Sequence, residues 1–187
     1  PGPITGINMA LSKKQSGVFK GMSAAMLTSI LVIVMAIVFD PFNYHLISHE
    51  SERLSVLGLS LILPTLILIA SIARLAKLRF FSPEDIDGSG LTSGTNDAII
   101  LQSLLQNTLE QLVIAFGVYT AWCLLMPSAW LSVVPVCALL FAIGRGCFFI
   151  GYSHGAPARA FGFALTFYST VVLFLVLLGY LLTLLMS

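Results

Sequence analysis

The chain of 187 residues is 58% hydrophobic and only 9% charged, whereas a soluble domain carries about 25% charged residues. A soluble fold of this size cannot cover so much apolar surface. The composition therefore predicts an integral membrane protein and excludes a soluble enzyme domain, a disordered chain and a disulfide scaffold. The formal net charge of +1 gives no overall field that attracts nucleic acid, so no nucleic-acid partner is expected.

Five apolar runs follow one another along the chain, and each is close to the length of about 20 residues that crosses a bilayer as a helix. They cover residues 22–39, 54–76, 98–126, 129–152 and 159–185. Residues 1–8 resemble the remnant of an affinity tag ahead of a start at Met9. We predict a tag remnant and cytoplasmic tail over residues 1–20, an extra transmembrane helix over 21–40, an external loop over 41–53 and a four-helix domain over 54–187.

Basic residues near the ends of these runs predict the orientation, because Lys and Arg accumulate on the cytoplasmic side of a membrane. With five crossings, the side that holds the N-terminus receives nearly all of them, and the opposite side receives only Arg53. The basic residues on the side that holds the N-terminus are Lys13, Lys14, Lys20, Arg74, Lys77, Arg79 and Arg159. We therefore expect a cytoplasmic N-terminus and an external C-terminus.

The third and fourth runs carry polar residues at membrane depth, where an ionisable side chain is costly and by default marks a functional site. Ser103, Asn107 and Glu110 recur at spacings of four and three residues, so they share one face of a helix. Arg145, in the antiparallel fourth run, lies in the same half of the bilayer and is the expected partner of Glu110. The pair is either a structural link between helices or part of an anion site open to the cytoplasm, and the residues alone leave both interpretations open.

The order of these polar residues resembles the MAPEG family, the membrane-associated proteins in eicosanoid and glutathione metabolism. The matching pattern is Asn107-x-x-Glu110, then Arg145, then Tyr152, then Pro157-x-Arg159 and a final apolar helix. The resemblance covers roughly residues 54–185. It is closest to the prostaglandin E synthase and microsomal glutathione transferase branch.

This resemblance implies a left-handed four-helix bundle that assembles as a homotrimer among membrane lipids, here with one extra N-terminal helix. It also implies glutathione as a co-substrate, bound between subunits on the cytoplasmic side, and a lipophilic small-molecule substrate. The implied glutathione ligands are Asn107, Glu110, Arg145, Tyr152 and Arg159, with a further hydrogen bond from Gln106 and Arg74 as the match to a first-helix arginine. Arg159, with Tyr152 as a hydroxyl donor, is the residue expected to stabilise the thiolate, because a neighbouring arginine lowers the pKa of a thiol.

Three positions depart from the family pattern. Ser103 stands where the family usually carries an arginine, Gln106 replaces a basic residue before the asparagine, and Phe163 stands where some members have a tyrosine. Two functions therefore compete: a glutathione-dependent transferase or peroxidase acting on a lipophilic electrophile, and a non-catalytic lipid-binding or scaffold protein of the same fold. A transporter or channel subunit is supported only by the intramembrane charges, because the sequence has no inverted repeat. The short loops and plain composition favour the bacterial inner membrane over the endoplasmic reticulum.

Overall fold

The computed structural model of the protein describes residues 11–186, and this part of the chain is helical without any strand. Its long helices are α1 (Lys13–Phe39), α2 (Glu50–Phe81), α3 (Asn96–Leu125), α4 (Val133–Gly151) and α5 (Ala156–Met186). Five segments are long and apolar enough to cross a membrane: α1, α2, α3, α5 and the segment Ser128–His154 that contains α4. The predicted all-helical membrane fold with five spans is thereby confirmed. The prediction of a tag remnant over residues 1–8 lies outside the described residues.

The first helix extends well beyond the apolar run that predicted it, into the segment predicted as a tail. Its start is fixed by a capping box, in which Gln15 N–H donates to Ser12 Oγ at 3.2 Å and Ser12 N–H donates to Gln15 Oε1 at 2.9 Å. Such a cap favours a helix whatever the hydrophobicity of the first turns. Apolar length alone therefore placed the start of α1 too late.

The second helix also begins earlier than expected, inside the predicted external loop. Glu52 accepts hydrogen bonds from the backbone N–H groups of Ser48 at 3.3 Å and His49 at 3.2 Å. A carboxylate in the first turn satisfies free N–H groups there and interacts favourably with the helix dipole. The connection to α1 is consequently short, and it contains a 3₁₀ turn over Tyr44–Leu46.

Asp40 organises this connection at the end of α1. Its carboxylate accepts hydrogen bonds from the Ser132 hydroxyl, from the His45 ring at 2.7 Å, and from the backbone N–H groups of Tyr44 at 3.1 Å and His45 at 2.8 Å. Burial acts to raise the pKa of Asp40, but these hydrogen bonds together lower it to about 2. The carboxylate therefore remains charged and joins the α1–α2 connection to the start of α4.

Small residues allow α1 to pack closely along α5. A Cβ atom added to Gly17 would lie 2.9 Å from the Cβ of Pro157, and one added to Gly21 would lie 3.1 Å from the backbone N of Phe161. Ala25, one turn further on, is fully buried. The two helices thus run parallel and in contact, because successive small residues of α1 meet successive turns of α5.

Glycines also bring α4 and α5 together, with their backbones in direct contact. A Cβ atom added to Gly162 would lie 2.3 Å from the backbone N of Phe148, and one added to Gly151 would lie 2.4 Å from the carbonyl O of Ala158. Neither position has room for a side chain. This close antiparallel pair fixes the last turns of α4 against the first turns of α5. The contact lies at the end of the bundle where α1 and α5 begin and α2 and α4 end. We call this end of the bundle the basic end.

Candidate functional site

A cavity of about 760 Å³ opens at the basic end between α1, α3, α4 and α5. Its polar lining residues are Gln102, Ser103, Gln106, Asn107, Glu110, Tyr152 and Arg159, and its apolar ones are Val18, Met22, Phe148, Ala156, Ala160 and Phe163. The polar wall comes mainly from α3, and the apolar wall comes mainly from α1 and α5. Such a combination of a large apolar surface with a few convergent polar groups is typical of ligand sites.

The polar wall follows from the sequence of α3. Gln102, Ser103, Gln106, Asn107 and Glu110 recur at spacings of three and four residues, so they lie on one side of the helix. Gln106 Nε2 donates to Glu110 Oε1 at 2.9 Å. This bond holds the carboxylate along the helix and leaves its other oxygen to accept from a ligand.

Arg145 does not pair with Glu110, and the expected interhelical ion pair is wrong for the described residues. Arg145 is instead fully buried, with Nη1 donating to Asn107 Oδ1 at 2.6 Å and Nε donating to Thr166 Oγ1 at 3.2 Å. Its guanidinium Nη2 makes no hydrogen bond within the described part of the chain. The physical reason is position: Arg145 is buried behind Asn107 and faces α5, whereas Glu110, about one turn further along α3, is exposed and bonded to Gln106.

The contact with Arg145 orients the amide of Asn107, which lines the cavity. With Oδ1 accepting from a cation, the Nδ2 group is the part of the amide left to donate to a ligand. A buried guanidinium that lacks a carboxylate partner is costly, and an anion close to it would offset part of that cost. Arg145 therefore contributes positive charge one side chain behind the cavity wall.

Two aromatic rings, placed between two cations, connect buried Arg145 to Arg159 in the cavity lining. The guanidinium carbon of Arg145 lies 4.5 Å from the ring centroid of Phe148, and the Phe148 and Tyr152 rings are 5.4 Å apart in an edge-to-face arrangement. The guanidinium carbon of Arg159 lies 4.5 Å from the centroid of the Tyr152 ring. Cation–π contacts at these distances are attractive. They hold Tyr152 and Arg159, which come from different helices, beside one another.

Five of the predicted site residues are brought together in one cavity, and two are not. Gln106, Asn107, Glu110, Tyr152 and Arg159 line it, whereas Arg145 is buried behind it. Arg74 lies elsewhere, exposed on α2, with its guanidinium carbon 5.9 Å from the ring centroid of Phe149.

Arg79, near the end of α2, is an additional cation beside the cavity. Arg79 Nη2 donates to Gln102 Oε1 at 3.0 Å and to Ser89 Oγ at 3.4 Å. A second cavity of about 210 Å³ contains Arg79 and shares Gln102 and Ser103 with the first. Positive charge is thus present near Ser103, the position where the family usually has an arginine, although it comes from another helix.

The segment between α2 and α3 packs beside Arg79 and is ordered by Asp85. The Asp85 carboxylate accepts hydrogen bonds from the Ser82 hydroxyl at 2.6 Å, from Thr95 N–H at 2.7 Å and from the Thr95 hydroxyl at 2.8 Å. The hydrogen bonds from Ser82 and Thr95 lower the pKa of Asp85. This polar segment closes the basic end of the bundle next to the second cavity.

Sequence reasoning missed the contribution of α1 to the site. Val18 and Met22, one helical turn apart, both line the cavity. The available signal was the series Gly17, Gly21 and Ala25, because small residues at four-residue intervals indicate close packing of transmembrane helices. That series indicates contact, but only the folded arrangement identifies α5 as the partner.

The five long apolar helices define an integral, multi-pass membrane protein, and its cavity has one polar and one apolar wall. The sequence model of the MAPEG family matches residues 54–179, and the chain belongs to this family. The match spans most of α2, all of α3 and α4 and most of α5, so α1 precedes it. Searches of curated proteins and of solved structures gave no match.

Proposed function

We propose that the protein is a glutathione-dependent transferase or peroxidase that acts on a lipophilic electrophile dissolved in the membrane. The observation that carries this proposal is the placement of Arg159, Tyr152, Asn107 and Glu110 around one cavity whose other wall is apolar. A polar thiol substrate and an apolar electrophile require such a divided surface. Membership of the MAPEG family supports the same general activity.

The polar groups of the cavity suit those of glutathione. Arg159 offers a cationic fork for a carboxylate or thiolate, and Asn107 Nδ2 offers a neutral donor. Glu110 offers an acceptor for the ammonium group of the peptide. The anionic ligand would also be attracted by Arg145, which is one side chain away from the cavity.

Arg159 and Tyr152 are the residues to which we assign the chemical step. A free thiol has a pKa of about 8.5 and is mostly protonated at neutral pH, but a neighbouring arginine favours the thiolate. In our proposal Arg159 stabilises the thiolate and the Tyr152 hydroxyl donates a hydrogen bond to it, while the released proton passes to water. The sulfur electron pair then forms the new bond to the electrophile, whose bonding pair leaves with the departing group.

The exposed side of α3 supports assembly with further copies of the chain, for which we propose the homotrimer that the family resemblance implies. Glu110 is exposed in the single chain, and it lies about 21 Å along α3 at 1.5 Å per residue, among exposed apolar residues. Those residues are Leu109, Val113, Ile114 and Phe116. A carboxylate facing lipid at this depth is costly, so we infer that neighbouring copies cover it and that the site lies between subunits on the cytoplasmic side.

Glutathione binding to the purified protein tests the proposal. Calorimetry at pH 7, with parallel thiolate absorbance, should give saturable binding and a thiolate signal that disappears in Arg159→Ala. Lys77→Ala is the matched control, because Lys77 is an exposed cation near the same end of the bundle that does not line the cavity. An unchanged thiolate signal in Arg159→Ala would overturn the role of Arg159, and no binding at millimolar glutathione would overturn the function.

A specific observation favours a second function, binding of a lipid without catalysis. Arg159 and Glu110 are the two charged residues that line the cavity, so its lining is formally neutral, and Ser103 and Gln106 add no charge. A membrane lipid or fatty acid needs fewer cationic partners than glutathione does. Native mass spectrometry of the protein released from nanodiscs would detect a retained lipid, and this outcome together with absent glutathione affinity would favour the second function.

A further inference from the structure

The first helix contributes to the candidate site although it precedes the residues that match the family. The family match begins at residue 54, whereas Val18 and Met22 of α1 line the cavity. They are four residues apart and therefore lie on the same side of the helix. A site built only from the matched residues would be open towards α1.

The position of α1 is fixed by tight packing rather than by a loose contact. Gly17 leaves room for the ring of Pro157, and Gly21 leaves room for the backbone of α5 at Phe161. Ala25 then belongs to a buried apolar cluster with Leu140, Ala164 and Leu165, and Met22 packs against that cluster. Half-buried Met22 therefore contacts both the cavity and the buried cluster that packs α1 against α5.

The remaining apolar lining on this side comes from Ala160 and Phe163 of α5. Val18 and Met22 extend that apolar surface beyond α5, and they do so near Arg159, the cation of the cavity. A ligand held at Arg159 by an anionic or thiolate group therefore has its apolar part directed along a surface that includes α1. The dimensions of that surface depend on the side chains at positions 18 and 22.

We propose that α1 is the wall that limits the size of the apolar group accepted by the site, with Val18 and Met22 as the specificity-determining residues. This inference rests on the proposed function for the identity of the reactive ligand. The substrate class is an electrophile with an alkyl or aryl group that lies between α1 and α5. A larger side chain on α1 shortens the group that fits, and a smaller one lengthens it.

A series of S-alkylglutathiones from methyl to decyl tests the inference on the full chain in lipid nanodiscs. Each buried methylene raises affinity about fourfold, so affinity should rise with alkyl length until the chain meets α1. Met22→Trp should shift the limit to shorter chains and weaken binding of the longest ones by about tenfold or more, relative to the affinity of the same variant for glutathione. Val18→Ala should shift the limit to longer chains.

Leu27→Trp is the matched control, because Leu27 is on the same helix but is 70% exposed. It should leave the length dependence unchanged. If folded Met22→Trp and Val18→Ala both retain the wild-type length dependence, α1 does not limit the site, and the proposed function stands.

A second series separates failure of the inference from failure of the proposed function. If the wild type binds neither glutathione nor its conjugates, the proposed function fails, and n-alkyl carboxylates from hexanoate to dodecanoate replace them as probes. A shift of their length limit in Met22→Trp then supports the α1 wall for a lipid ligand, and an unchanged limit overturns it.

Discussion

Replacing Gly162 with alanine tests whether the close approach of α4 and α5 builds the site. A Cβ atom at this position would lie 2.3 Å from the backbone N of Phe148 and 2.7 Å from the carbonyl O of Gly144. Ordinary contacts of a Cβ atom begin near 3.4 Å, so the helices must separate by about 1 Å. Both neighbouring atoms belong to the backbone, which cannot avoid the clash by rotating a side chain.

The magnitude follows from two opposing effects. Overpacking costs about 1–3 kcal/mol, and a clash with backbone on two sides places Gly162→Ala near the upper limit. The higher helix propensity of alanine offsets up to about 1 kcal/mol of this cost. Gly146→Ala in α4 and Gly179→Ala in α5 gain the propensity without a clash, because neither position has an atom within 4 Å of a new Cβ.

Thermal unfolding in detergent, followed by the fluorescence of Trp122 and Trp130, provides the assay. The propensity gain is common to all three variants, so the clash alone separates them. With about 2–4 °C per kcal/mol for a chain of this size, Gly162→Ala should unfold roughly 6–12 °C below the two control variants. It should also lose glutathione affinity, because separating α4 from α5 moves Tyr152 away from Arg159. An unfolding midpoint equal to that of the controls would refute the close packing of α4 and α5.

The remaining predictions concern charge. The lowered pKa of Asp40 stabilises the fold fully above about pH 4, and this contribution is lost as the pH falls towards about 2. Asp40→Asn should therefore lower the unfolding midpoint at pH 6 and flatten its decline between pH 4 and pH 2. Arg145→Lys should weaken glutathione binding about tenfold, because a lysine cannot donate to Asn107 and Thr166 in the forked geometry of arginine; unchanged affinity in calorimetry would contradict this positioning role. Asn107→Asp should raise the unfolding midpoint, because the new carboxylate pairs with buried Arg145. The same variant should weaken glutathione binding at least tenfold, and an unweakened affinity would show that Asn107 does not contact the ligand.

The helical architecture and much of the site could be predicted because both depend on local patterns. The apolar runs of about 20 residues identified the five spans. The three- and four-residue spacing along α3 placed Ser103, Asn107 and Glu110 on one side of a helix, and the cavity is lined by that side. Tyr152 and Arg159 were predicted from the family pattern, and they lie together because the turn between α4 and α5 is short.

The missed features depend on how each helix is rotated and on which helices pack against one another. Glu110 and Arg145 were expected in the same half of the bilayer, but the position of a residue along its helix does not reveal how the helix is rotated about its axis. Arg145 consequently faces Thr166 on α5 as well as Asn107. The role of α1 was missed for a similar reason, since its glycines indicate close packing without identifying the helix that they contact.

The charge balance around the cavity links the position of Arg145 to the choice between the two functions. Glu110 and Arg159 carry the lining charges, and these cancel formally. A ligand with several anionic groups therefore depends on Arg145, whose Nη2 makes no hydrogen bond among the described residues and is separated from the cavity by Asn107. A ligand with one anionic group is satisfied by Arg159 alone. The transferase function thus requires the positive charge of Arg145 to act on the ligand past the Asn107 amide, whereas lipid binding does not. The loss of ligand affinity when Arg145 is replaced therefore distinguishes the two functions.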